Sequence, residues 1–182
     1  LRDTFADFRH RFATGEQVAA LLLGTGRLIE RHGSLNAAFA RHLKSGDETV
    51  VDALAGFAAE LREASGDMDA HLVPSPTRGS ACKRLNLFLR WMVRRDDVDP
   101  GGWEGVSPAQ LIVPLDVHMH RICRALGLTR RAAADLRTAL DITAAFRAFA
   151  PDDPVRYDFA LTRFGIRPGP DADLDEFLAK WS

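Results

Sequence analysis

Lys83 opens the helical stretch of Arg78-Gly-Ser-Ala-Cys-Lys-Arg-Leu-Asn-Leu-Phe-Leu-Arg-Trp-Met-Val-Arg94. Asp116 follows 33 positions later in Pro114-Leu-Asp-Val-His-Met-His-Arg-Ile-Cys-Arg-Ala-Leu-Gly127. An amine and a carboxylate can act as a nucleophile and a partner for developing positive charge. Of 24 cationic residues only Lys44, Lys83 and Lys180 are lysines, and the other 21 are arginines. Guanidinium cannot be deprotonated and so cannot attack carbon, which makes a lysine at the start of an apolar helix notable in this chain. The helix dipole and Arg84 beside it both disfavour the ammonium form there. A free lysine titrates near about 10.4, so such lowering favours a nucleophile at neutral pH. Taken alone, Lys83 reads as a surface amine with its stem on apolar neighbours, and Asp116 reads as a helix N-cap. The cap role is compatible with chemistry, because it fixes the carboxylate at the mouth of a cleft.

Between Arg78 and Arg95 stand six cationic residues and no acidic one. Thr77-Arg78-Gly79-Ser80 offers backbone N–H groups and a guanidinium ahead of a helix start, an arrangement suited to phosphate. A solvated helix face is the competing reading of the same charges. Asp116, His118 and His120 suggest metal ligands, but on a helix His118 and His120 point about 200° apart by the 3.6-residue period. His118 is expected to be solvated or to contact phosphate.

A chain of 182 residues supports one substantial core or two small lobes. With 46% hydrophobic and 27% charged residues it reads as soluble and globular. No apolar run reaches the roughly 20 residues that span a bilayer, and no signal-peptide pattern is seen, so a cytoplasmic location and no membrane partner are expected. The first residue is Leu1, which leaves room for a missing N-terminal portion. Cys82 and Cys123 are too few for a disulfide framework and lack metal-site spacing. The net charge of −1 argues against indiscriminate polyanion binding.

Apolar residues recur at helical spacing with little strand-like alternation, so the fold class is all-α. Thr14 and Gln17 form a capping box for a helix ending at Gly33, and Ser34 starts a short helix through Phe39 and Leu43. A third helix runs from about Glu48 to Ala64, and residues 65–79 form a loop. The next helix starts near Ser80 or Ala81, with Leu85, Phe88, Leu89 and Met92 as its apolar stripe and Lys83, Arg84, Arg90 and Arg94 largely off it. Ser107-Pro108 starts a short helix, Leu111 to Leu115 leads into the helix capped by Asp116, and Gly127 lies past its end. Thr129 caps a helix to about Leu140, a further helix runs from Asp141 or Ile142 to Ala150, and Asp153-Pro154 opens a helix from Val155 to Phe164. An acidic tail follows from Pro168. The chain is read as a single helical domain over 1–182: a scaffold at 1–70, a hairpin and catalytic helices at 71–165, and a tail at 166–182.

Pro114-Leu-Asp-Val-His-Met-His-Arg-Ile-Cys-Arg-Ala-Leu-Gly127 resembles the catalytic-aspartate segment of helix-hairpin-helix DNA glycosylases, and the Asp-Val-His-Met stretch looks especially like their 8-oxoguanine branch. Lyase-active members carry a lysine upstream, at the helix following the hairpin, and Lys83 occupies that place. The separation of 33 is similar to the archaeal 8-oxoguanine type. Arg78-Gly-Ser-Ala-Cys82 stands where the usual Leu-Pro-Gly-Val-Gly hairpin would be. Residues 79–165 also look like a bacterial family of uncharacterised conserved proteins, through Gly-Ser-Ala-Cys-Lys-Arg-Leu-Asn, Pro-Leu-Asp-Val-His and Asp-Pro-Val-Arg-Tyr-Asp-Phe-Ala-Leu.

The resemblance implies a base-excision repair glycosylase with AP lyase activity on an oxidised purine such as 8-oxoguanine. Lys83 and Asp116 would be catalytic, Arg78, Gly79, Ser80, Arg84, His118 and Arg121 would contact DNA, and Asp158 and Phe159 would meet the base. On composition alone, Asp158 reads as a solvated helix carboxylate and Phe159 as a core aromatic. The resemblance implies no metal or cofactor, a monomer, double-stranded DNA containing a damaged base as partner, and a place among nucleoid-associated proteins. The alternative is a noncatalytic helix-hairpin-helix DNA-binding protein using only the basic helix and hairpin, with Arg90 and Arg94 among its DNA contacts.

Overall fold

The computed structural model describes residue 1 and residues 3–11, 13–66 and 72–164. The described residues are mostly helical, with seven α-helices, three short 3-10 turns and a two-stranded ribbon. The acidic tail expected from Pro168 lies outside them. Among the described residues no helix is long and apolar enough to cross a membrane. The chain divides into two compact units, Leu1–Arg78 and Gly79–Ser182.

In the first unit β1 (Arg9–His10) pairs antiparallel with β2 (Ala13–Thr14), and β2 leads directly into α1 (Gly15–His32). The capping box is present: Thr14 accepts from Gln17 N–H, and Gln17 Oε1 accepts from Thr14 N–H. Gly33, at φ 83°, ends the helix in a conformation that costs glycine little. Ser34 caps α2 (Leu35–Ala40), and α3 (Val51–Ala64) packs on α1. Phe39 and Phe57 meet edge to face at 5.7 Å, among Leu28, Leu54 and Ala58, all almost fully buried. Gly24 allows α1 its close approach to the end of α3, since a Cβ there would lie 2.0 Å from Ser65 Oγ.

Glu60 on α3 is only 8% exposed and collects four donors. Oε1 accepts from Arg31 Nη1 at 3.1 Å, Arg41 Nη1 at 3.3 Å and His32 Nε2 at 2.7 Å, and Oε2 meets His42 Nε2 at 3.1 Å. Burial opposes the charge, but bonds from His32, His42 and Arg31 outweigh it and hold the carboxyl at about 2, below its ordinary 4.5. Because the folded value is the lower one, this stabilisation is complete above 4.5 and disappears as pH falls from there through 2. The melting temperature of the wild type is expected to drop across that window, and Glu60→Gln to lack this part of the drop. Parallel melting curves for the two proteins would overturn the assignment.

In the second unit α4 (Lys83–Val93) is followed by an irregular segment and a 3-10 turn, Pro108–Gln110, capped by Ser107 and Gln110. Leu111 to Leu115 belongs to no helix or strand, and every residue of it is buried. Its Val113 N–H donates to Thr143 Oγ1 at 3.0 Å, which spares a buried donor. α5 (Val117–Ala125), α6 (Leu136–Phe149) and α7 (Asp158–Phe164) complete the unit.

One helix replaces the two expected over 129–150, because the Asp135 carboxylate accepts from Thr138 N–H at 2.9 Å and sets the start of α6. Asp141 is exposed on that helix and does not break it. The buried stripe of α4 is also rotated from the expected one: it is Asn86, Leu89, Arg90 and Val93, at i, i+3, i+4 and i+7.

Candidate active site

Lys83 and Asp116 meet in one contact. Lys83 is the first residue of α4 and Asp116 is the N-cap of α5. Asp116 divides its two oxygens between two tasks: Oδ1 accepts from His118 N–H at 3.0 Å and Met119 N–H at 2.8 Å, while Oδ2 lies 3.1 Å from Lys83 Nζ. Partial burial raises the aspartate's pKa, but the Met119 N–H, the Lys83 ammonium and the His118 N–H together hold it below the ordinary carboxylate range. Both side chains stay open to solvent, at 44% for Lys83 and 23% for Asp116.

The backbone before Lys83 is unusual. Gly79 has φ 76°, and Cys82, the residue capping α4, has φ 47°. A left-handed conformation costs a non-glycine residue about 1 kcal/mol, so the surrounding structure must hold Cys82 there. Its position fixes where Lys83 leaves the turn. Burial pushes the Cys82 thiol up, so it is a packing residue and a poor thiolate.

Asp158 begins α7 and is 5% exposed. Its Oδ2 pairs with Arg90 Nη1, and its Oδ1 is buried without a hydrogen-bond partner. Burial pushes the carboxyl up to about 6 against the opposing Arg90 charge, with Asp116 raising it further and Lys83 lowering it. α7, which Asp158 begins, packs on α5, which Asp116 caps. Phe159 is 39% exposed, its ring 5.3 Å from the Arg163 guanidinium carbon and 6.0 Å from that of Arg90. Asp158 is therefore not a solvated carboxylate, nor is Phe159 a core aromatic.

Sequence reasoning passed over Asn86, one turn beyond Lys83. It is 2% exposed, donates from Nδ2 to Ala81 O at 2.9 Å, and keeps a buried Oδ1 without a partner. Its place in the i, i+3, i+4, i+7 stripe was a readable signal, obscured because polar residues are not expected on a buried face.

The remaining expected site residues are spread more widely. Arg78 ends the 3-10 turn Pro76–Arg78 of the first unit, and its N–H is used by Ser75 O at 3.2 Å. Gly79 O accepts from Leu136 N–H at 2.9 Å, and Ser80 bridges Asp135 while its Oγ accepts from Cys82 N–H. The expected row of free N–H groups over 77–80 is thus partly occupied by local bonds. Arg84, His118 and Arg121 are exposed on α4 and α5. His120 is buried and meets Arg131 O at 3.0 Å, so the two histidines of His-x-His face different surroundings.

Arg90 and Arg94 are not surface cations. Arg90 is 2% exposed and forks onto Asp99 at 2.9–3.2 Å, and Arg94 binds Asp153 at 2.9 and 3.1 Å and Asp96 at 2.8 Å, besides pairing with Asp99. Their acidic partners stand later in the sequence, so the uncompensated appearance of residues 78–95 does not survive folding.

A family model described as "Protein of unknown function (DUF2400)" matches residues 1–167. The chain belongs to that family. No curated protein and no solved structure matches it. The DUF2400 match covers the first unit, the second as far as residue 167, and every site residue discussed above.

Proposed function

We propose that this DUF2400 protein is a base-excision DNA glycosylase with AP lyase activity, of helix-hairpin-helix glycosylase-like fold, acting on an oxidised purine such as 8-oxoguanine in duplex DNA. The observation that carries the reading is the 3.1 Å contact between Lys83 Nζ and Asp116 Oδ2. The enzyme turns the damaged nucleotide out of the duplex, which places its sugar before the amine. Asp116 Oδ2 takes a proton from the lysine ammonium, and the freed Nζ lone pair forms a bond to C1′ as the C1′–N bond breaks and its electrons leave with the base. The carboxylate also steadies the positive charge that develops on the sugar. Nζ then gives up a proton and its lone pair forms the C1′=N bond of a Schiff base as C1′–O4′ breaks and O4′ takes up a proton; removal of a C2′ proton forms C2′=C3′ as the C3′–O bond breaks and the 3′ phosphate leaves.

Asn86 Oδ1 and Asp158 Oδ1 support a polar reader nearby, since each is a buried acceptor lacking a donor and a purine edge presents N–H groups. The half-exposed Phe159 ring offers a stacking face. His118 and Arg121, exposed on α5, and Arg84, exposed on α4, are the side chains that would meet phosphates, with Gly79 and Ser80 at the turn before α4. Arg90 and Arg94, the contacts named for the noncatalytic DNA-binding alternative, are buried, so that reading would rest on the hairpin and the exposed cations.

The test is borohydride trapping with duplexes carrying single oxidised bases. A covalent protein–DNA adduct is expected on an 8-oxoguanine duplex and not on an undamaged one. No adduct on any oxidised base would remove the lyase reading.

A further inference from the structure

The Glu60 cluster carries more positive charge than its carboxylate can neutralise. Arg31 and Arg41 alone bring two charges to a single anion, leaving one in excess. Both guanidiniums use the same atom, Nη1, on the same oxygen, Oε1, so they are held as neighbours despite their like charge. Each has five N–H donors, of which only those on Nη1 bond Glu60. Their side chains are 52% and 53% exposed, whereas Glu60 is at 9%. The buried anion thus fixes two exposed cations side by side.

The surroundings are built to permit this. A Cβ at position 56 would lie 2.4 Å from His42 Nδ1, so Gly56 makes room for the ring that reaches Glu60 Oε2. A glycine inside a helix is less favourable than an alanine, and here it has a packing reason. His32, at 2.7 Å from Oε1, braces the other oxygen.

We propose that Arg31 and Arg41, held in place by Glu60, form a binding site for a phosphate group. Phosphate oxygens match the fork of a guanidinium, and a second guanidinium beside the first supplies further charge-assisted bonds. Fixing the two side chains in advance reduces the entropy lost on binding. The site draws on the first unit only and does not depend on the Lys83 chemistry.

Calorimetric titration with inorganic phosphate, and separately with a lesion-free DNA duplex, tests this on the full chain. Saturable phosphate binding is expected, weakened at least tenfold by Arg31→Gln and by Arg41→Gln and unchanged by Arg9→Gln, a surface cation of the same unit. Glu60→Gln separates a fixed site from a general field. It removes a negative charge, yet phosphate binding is expected to weaken, because the arginines lose their anchor. If the two arginine variants also lower duplex affinity, the phosphate is that of a nucleic-acid backbone; if duplex affinity is unaltered, it is a free phosphate compound. Absence of saturable phosphate binding, indifference to both arginine variants, or tighter binding by Glu60→Gln overturns the proposal.

Discussion

Lys83→Gln is expected to abolish the borohydride-trapped adduct, with strand cleavage at the lesion lowered by about 10,000-fold or more, as removal of a covalent nucleophile does in other enzymes. Glutamine preserves most of the length and polarity of the side chain, and Lys83 is substantially exposed, so folding should be unaffected. Asp116 allows a finer separation because its oxygens serve different partners. Asp116→Asn keeps a good N-cap while removing the charge, so cleavage should fall by about 100- to 10,000-fold with little change in melting temperature. Asp116→Ala should lose the same activity and in addition about 1 kcal/mol of stability, as the His118 and Met119 N–H groups lose their acceptor. Gel analysis of single-turnover reactions beside thermal melts gives both readings. Full cleavage by Lys83→Gln would show that another residue is the nucleophile.

Arg90→Ala is expected to destabilise the protein by about 3–5 kcal/mol, the cost of removing one partner from a buried ion pair. Asp99 is fully buried and Asp158 nearly so, and both lean on this guanidinium. Total stabilities of about 5–15 kcal/mol make such a loss large. Arg90→Lys keeps the charge but loses the fork, so an intermediate loss is expected. Arg121→Ala, at an exposed site on α5, should change stability by no more than about 0.5 kcal/mol. Urea denaturation measures all three. If Arg90→Ala unfolds at the wild-type midpoint and instead weakens DNA binding, Arg90 is a surface contact after all.

This expected result bears on how charge is read from a sequence. Between Arg78 and Arg95 the chain looks like a basic face, because no acidic residue lies within it. Its partners Asp96, Asp99, Asp153 and Asp158 come from the following loop and from residues some sixty positions away, where linear proximity gives no sign of pairing. Burial of an arginine needs such partners, and only folding brings them together. Asn86 was hidden for the same reason: a buried amide breaks the hydrophobic period that a sequence reading relies on.

Local signals were the legible part. Capping residues act within three or four positions, so Thr14 with Gln17, Ser34 and Asp116 could be placed correctly without a structure. The helix start at Asp135 was missed because Thr129 is an equally good capping residue, and the choice rests on which N–H groups the carboxylate meets. Both Thr129 and Asp135 satisfy the same local rule.

The sequence by itself determined the helical class, most helix boundaries in the first unit, and the scarcity of lysine that drew attention to Lys83. Those properties depend on residue type and short-range spacing. Only the tertiary structure decided that Lys83 Nζ and Asp116 Oδ2 lie 3.1 Å apart, that Arg90 and Arg94 are interior, and that Arg31 and Arg41 share Glu60. Each of those depends on where separate helices place their side chains, and the free energy of an ion pair depends on distance and burial, which a one-dimensional spacing does not contain.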